Sequence, residues 1–200
     1  YFSMKQLIGK LEKEKELRSE EWLRLLQGRT PQLAQFLFER ARAVRQQHYG
    51  KDIYIRGLIE FTNYCKNDCY YCGIRKSNAA LRRYRLSQEE ILSCCREGYV
   101  LGFRTFVLQG GEDVWYTQER MSGLVSAIHQ EFPDCIITLS IGERPKEDYE
   151  AFYRAGARRF LLRHETADEA HYRGLHPIGM SLAHRKDCLY QLRRIGYQVG

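Results

Sequence analysis

The chain has 200 residues, 44% of them hydrophobic and 12% aromatic, which is enough apolar material to bury one sizeable core and argues against a disordered polymer. Its net charge of +7 invites an acidic partner or ligand, and its longest apolar runs, Phe106-Val107-Leu108 and Phe160-Leu161-Leu162, fall far short of a membrane span. Seven cysteines, an odd number with three close together, favour a reducing compartment and a metal or cluster role over a secreted disulfide framework, so a cytoplasmic protein is expected.

Tyr1-Phe2-Ser3, ahead of Met4, is read as an addition before the natural start and is left out of the fold reading. Lys5 to Gln27, rich in Leu, Glu, Lys and Arg, reads as one helix. A second helix is opened by Thr30 as N-cap with Pro31 at the first position and ends near Gly50, so residues 1–50 are expected to form a helical cap. From residue 51 the pattern changes to short apolar strands alternating with amphipathic helices. The strands are expected at Ile53 to Thr62, Phe103 to Leu108, Ile136 to Ser140 and Arg159 to Leu162. Helices are expected at Ser87 to Tyr99, with Ser87 and Glu90 in capping-box spacing, after Thr117 and after Pro145. Gly98, Gly102, Gly156 and Gly196 mark helix ends, and Tyr197 to Gly200 reads as a strand just beginning. The alternation implies an α/β fold with a parallel sheet, and we favour a (β/α)8 barrel, of which residues 51–200 supply about the first half and the natural chain the rest.

Cys65-Lys-Asn-Asp-Cys69-Tyr-Tyr-Cys72 sets three thiols on the loop leaving the first strand, at the strand end where barrel chemistry gathers. Three thiolates can bind three of the four irons of a cubane and leave one iron open. The competing readings are a structural zinc site, which would have to recruit a distant fourth ligand such as His164, and buried free thiols. Gln109-Gly110-Gly111-Glu112-Asp113 follows the second strand, where glycine lets a ligand approach the backbone; a plain turn is the alternative. Ser140-Ile-Gly142-Glu143 and Arg163-His164-Glu165-Thr166 follow the third and fourth strands, and as charged rim segments they are either functional or merely solvated loops. Cys94, Cys95, Cys135, Cys188 and His164 are expected to be structural, the thiols as small buried groups.

The C-x3-C-x2-C spacing, with Tyr71 just before the last cysteine, resembles the signature of radical S-adenosylmethionine (SAM) enzymes. That resemblance implies a 4Fe-4S cluster on Cys65, Cys69 and Cys72, SAM chelated to the open iron, and reductive cleavage of SAM to a 5'-deoxyadenosyl radical. Tyr71 would lie near the adenine, and Gln109, Gly110, Gly111 and Glu112 would hold the SAM ammonium. Ser140 and Glu165 would stand at the same rim, Glu165 on the ribose hydroxyls, and Arg185 would pair with the SAM carboxylate. Ile59-Glu-Phe-Thr-Asn-Tyr-Cys65, Arg83-Tyr-Arg-Leu, Leu161-Leu-Arg-His-Glu-Thr-Ala and Ile195-Gly-Tyr-Gln-Val-Gly further resemble the HydE family of FeFe-hydrogenase maturases, whose members often carry Ser where this chain has Gly110. This resemblance implies a cysteine-bound iron carbonyl cyanide substrate, other hydrogenase maturases as partners, and a reductant such as ferredoxin or flavodoxin. Methylornithine synthase and, more distantly, biotin synthase are the enzymatic rivals. A different class, a nucleic-acid or protein interaction module with a merely structural cluster, is encouraged by Arg75, Lys76, Arg82, Arg83 and Arg85, which lie in a stretch without acidic residues; a solvated basic face is the plainer reading.

Overall fold

A computed structural model describes residues 2–200. The chain divides into two compact units, Tyr1–Tyr54 and Ile55–Gly200, and the expectation for Tyr1 lies outside the described residues.

The first unit holds three helices: α1 (Met4–Glu14), α2 (Ser19–Gln27) and α3 (Pro31–Tyr49). The expected single helix over Lys5 to Gln27 is thus two. Lys15 takes the left-handed conformation (φ 63°) and caps α1 through its N–H to the Leu11 carbonyl. The break carries no glycine or proline; Glu21 stabilises the turn by accepting Lys10 Nζ at 2.9 and 2.8 Å and the Arg18 N–H at 2.9 Å. Ser3, left out of the fold reading, belongs to it: its hydroxyl accepts the Gln6 N–H in a capping box that opens α1. Thr30 caps α3 as the sequence implies, by accepting the Leu33 N–H at 3.1 Å. Ile8, Leu17 and Leu25 form the unit's small core.

The second unit is a five-stranded parallel sheet in the order β1-β2-β3-β4-β5, the strands being Gly57–Thr62, Thr105–Gly110, Ile136–Ser140, Ala157–Phe160 and Gln198–Val199. The intervening helices are α4 (Gln88–Val100), α5 (Gln118–Glu131), α6 (Lys146–Ala155), the short α7 (Glu169–Leu175) and α8 (Leu182–Ile195). Ile53, Tyr54 and Ile55 stay outside β1 and exposed, because its ladder with β2 begins only at Gly57 opposite Phe106. Gly98 lies inside α4 instead of ending it; an added Cβ would come within 3.0 Å of the Phe106 ring, so glycine lets helix and strand approach closely. α7 has no counterpart in the sequence reading.

Strand alternation sorts the two sheet faces. Ile59, Phe61, Phe106, Leu108, Ile137, Leu139, Phe160 and Leu162 join Ile91, Met121, Val125, Tyr149, Phe152 and Leu192 of the helices in one core. In-order strands with that helical layer on a single face are the arrangement of a (β/α) barrel, whereas a doubly wound sheet carries helices on both faces. The other face carries Leu58 and Val107 side by side and is otherwise polar towards the carboxyl strand ends: Gln109 donates to Glu60 Oε1 (3.0 Å) and accepts from Arg163 (3.0 Å), and Arg159 bonds Gln198. Among the described residues no helix is long and apolar enough to cross a membrane.

Candidate functional site

The candidate residues gather at the C-terminal ends of β1, β2 and β3, because parallel strands deliver their following loops to one edge. The cysteine loop after β1 rests on the loop after β2: the Lys66 N–H donates to the Glu112 carbonyl at 3.0 Å. Gly111 permits that approach, since a Cβ there would collide with the Tyr64 carbonyl oxygen and reach Cys65 Cβ at 2.7 Å. At Gly110 a Cβ would come within 2.6 Å of the Thr62 methyl, so this chain's departure from serine matches a tightly packed strand end. Asp113 clamps the same junction by accepting Thr62 Oγ1 at 2.8 Å and a bidentate pair from Arg85 at 2.6 and 2.9 Å. Burial alone would raise its pKa, but these bonds outweigh it and hold the carboxyl below its ordinary value.

Beside the cysteines lies a charge cluster that the sequence reading assembled only in part. Glu112 is 8% exposed and Arg185 6%, both far from the solvated setting usual for arginine on a helix. Arg185 Nη2 stands 3.7 Å from Glu112 Oε1, and its Nε is 2.8 Å from Glu143 Oε1 without hydrogen-bond alignment. Glu112 Oε1 also accepts the Glu143 N–H at 2.9 Å, and Lys66 Nζ approaches Glu112 Oε2 at 3.2 Å. Burial disfavours the charge on Arg185, yet Glu143, Tyr172 and Glu112 more than compensate and hold its pKa above the ordinary value. Glu112 Oε2, Glu143 Oε1 and Arg185 Nε remain buried without a hydrogen-bond partner among the described residues. Two carboxylates and two cations with unspent hydrogen-bonding capacity suit a zwitterion, whose ammonium meets the acids and whose carboxylate meets the guanidinium.

The cysteine loop is backed by α7 and the loop that follows it. The Tyr70 N–H donates to the Leu175 carbonyl at 2.9 Å, Tyr71 Oη lies 3.3 Å from His176 Nε2, and His176 stacks on Tyr172 at 3.9 Å between ring centroids. Met180 Sδ is 3.9 Å from Cys69 Sγ. Burial pushes the Cys69 thiol up to about 11, with Cys65 and Cys72 adding to it, and burial likewise raises Cys65. No three His, Cys, Asp or Glu among the described residues are arranged to hold a single metal ion.

Other expected residues stand apart from this cluster. Gln109 belongs to the polar sheet face, Ser140 is buried opposite it at the end of β3, and Glu165 is exposed in a left-handed conformation (φ 64°) within electrostatic reach of Tyr71. His164 is exposed and offers Nδ1 to its neighbour Thr166's carbonyl. Cys95, Cys135 and Cys188 are buried as expected; Cys94 is exposed, because in α4 the residue beside buried Cys95 turns to solvent. Lys66, Tyr172, His176 and Met180 were not assigned to the site from sequence; Glu143, three residues past the strand-end Ser140, was noted there only as part of a charged rim segment.

A singly wound α/β fold with three cysteines beside a buried, partly unsatisfied ion cluster at the carboxyl strand ends is the arrangement of the barrel-type enzyme class. The chain belongs to the Radical SAM superfamily, whose sequence model matches residues 59–200. It is 42% identical over 164 residues to the [FeFe] hydrogenase maturase subunit HydE of Thermotoga maritima, covering 82% of this chain and 46% of that protein. It is 33% identical over 166 residues to 3-methylornithine synthase of Methanosarcina acetivorans, covering 82% and 45%. The crystal structure of methylornithine synthase (PylB) superposes with a TM-score of 0.85 at 29% identity, over 96% of this chain and 57% of that one. HydG, a maturase of the [FeFe]-hydrogenase, superposes at 0.84 with 25% identity, over 98% and 45%. The chain thus spans about half the length of the curated relatives it matches.

Proposed function

We propose that this chain is the N-terminal part of a cytoplasmic radical SAM enzyme of FeFe-hydrogenase maturation. The observation that carries the reading is the buried Glu112, Glu143 and Arg185 cluster with unsatisfied polar atoms, joined by backbone hydrogen bonding to the cysteine loop. Cys65, Cys69 and Cys72 would hold a 4Fe-4S cluster, which when bound supplies the electron that breaks a sulfonium carbon–sulfur bond of SAM. Glu112 and Glu143, with the backbone of Gly110 and Gly111, would orient the ammonium; Arg185 would take the carboxylate. Tyr71 would lie along the adenine and Glu165 reach the ribose, with Gln109 and Ser140 lining the approach to the polar face. That face, carrying Glu60, Gln109, Arg159 and Arg163, suits a polar substrate with charged groups, in keeping with a cysteine-bound iron carbonyl cyanide precursor. Other hydrogenase maturases and a ferredoxin- or flavodoxin-like reductant would be its partners.

The similarity to 3-methylornithine synthase supports a second reading on the same site chemistry. The test is an anaerobic hydrogenase maturation mixture from which the HydE-type maturase has been left out, supplied with the whole protein. Restored hydrogenase activity supports maturation; no activity, with 3-methylornithine produced in a parallel pyrrolysine-precursor assay, overturns it in favour of the second reading. The interaction-module reading loses ground, because Arg75, Arg83 and Arg85, three of the five basic residues near the cysteines, are bonded to acids or carbonyls within the chain.

A further inference from the structure

The basic segment after Cys72 divides into a structural and a free set. Arg85 is bound to Asp113, and Arg75 lies 3.2 Å from Asp68. Arg83 acts as a staple: its guanidinium donates to the carbonyls of Asn63, Ile74, Arg75 and Asn78, drawing both ends of the loop together. Lys76 and Arg82 are left exposed, with no ion-pair partner among the described residues, on a loop whose shape the staple fixes. That loop is bonded directly to the cysteine loop, since the Arg75 N–H donates to the Cys72 carbonyl at 3.2 Å and the Lys76 N–H to the Asn67 carbonyl at 2.9 Å. The exposed ring of Tyr70, 54% accessible, adds an aromatic contact on the cysteine loop itself.

A preorganised, unneutralised positive patch one hydrogen bond from a cluster ligand has both features that an electron-transfer encounter needs: long-range steering of an acidic partner and a short path to the acceptor. We infer that Lys76 and Arg82 form the docking surface for an acidic one-electron donor protein. The inference rests on the cluster proposed above. In the encounter the donor's reduced centre gives up one electron and the centre held by the cysteines gains one; no bond is made or broken between the proteins. Weak, small interfaces are the rule for such redox encounters, so two exposed cations and one aromatic are a sufficient anchor.

The test uses the reconstituted protein and a flavodoxin as the acidic probe, with binding measured by titration calorimetry. The parent is expected to bind, and to lose that binding at about 0.5 M salt, where screening acts within about 3–5 Å. The double variant Lys76→Glu/Arg82→Glu is expected to bind about tenfold more weakly or worse, while SAM cleavage driven by dithionite, which needs no docking, stays at the parent level. Unchanged flavodoxin affinity overturns the inference. So does loss of dithionite-driven cleavage in the variant, which would make these residues structural, and so does tight binding of a DNA or RNA oligomer that the variant abolishes. A parent that binds flavodoxin but cleaves no SAM with dithionite would instead strike at the proposed function.

Discussion

Replacing Gly111 by alanine tests how the cysteine loop is positioned. The added Cβ would sit 2.7 Å from Cys65 Cβ and closer still to the Tyr64 carbonyl oxygen. Reaching even a tolerable 3.0 Å requires Cys65 Cβ to move 0.3 Å (3.0 less 2.7), and the obstacle is backbone that the Lys66 to Glu112 hydrogen bond holds in place. Overpacking of this kind costs about 1–3 kcal/mol, against a total stability of about 5–15 kcal/mol for a domain. The protein should therefore fold, with its melting temperature lowered by about 2–12 °C at this size. Because the strain falls on Cys65, iron and sulfide incorporated per chain on anaerobic reconstitution should drop well beyond what that stability loss explains. Gly123→Ala is the control: the position is exposed in α5 with nothing within 4 Å, and alanine there should stabilise by about 0.4–1 kcal/mol. A Gly111→Ala protein with parental melting temperature and parental iron content would refute the argument.

Arg185→Lys keeps the buried positive charge opposite Glu112 and Glu143 but gives up the planar fork; we expect the fold to survive and the dissociation constant for SAM, measured by equilibrium dialysis, to rise about tenfold. In the first unit, Lys10 Nζ, followed by the Arg18 N–H, holds the Glu21 carboxyl down to about 2. A depressed carboxyl stabilises above its ordinary value and loses that contribution as pH falls through its folded value. The stability difference between the parent and Glu21→Gln, measured by denaturant unfolding of the helical signal, should be constant above 4.5 and vanish as pH falls to about 2. A difference that does not change with pH would refute the assigned cause.

Much of the second unit was legible because local chemistry and global topology agree there. Ser87 with Glu90, Thr117 and Pro145 start helices where the sequence places them, and β3 is the run from Ile136 to Ser140 as read. What failed was governed by tertiary partners. The break between α1 and α2 depends on Glu21 meeting Lys10 eleven positions away, and the late start of β1 depends on where β2 can pair. Gly98 looked like a stop because glycine usually is one; here it makes room for Phe106. In the site, the cysteines and Glu112 announce themselves by spacing and strand-end position, while the Glu143 to Arg185 pairing spans 42 positions (185 less 143) and the α7 backing is too short to show a period. The basic segment misled in the opposite direction, since charge that reads as a binding face is largely consumed by Asp68, Asp113 and loop carbonyls.

The central claim is that Cys65, Cys69 and Cys72 hold a centre that cleaves SAM with the help of the adjacent ion cluster. It is tested most directly by quantifying 5'-deoxyadenosine released when the anaerobically reconstituted, dithionite-reduced whole protein is given SAM, beside a variant with all three cysteines changed to alanine. Release by the parent that disappears in the variant is the predicted result. A parent that assembles its cluster, binds SAM and yet releases no 5'-deoxyadenosine would contradict the account and leave the cluster a structural element.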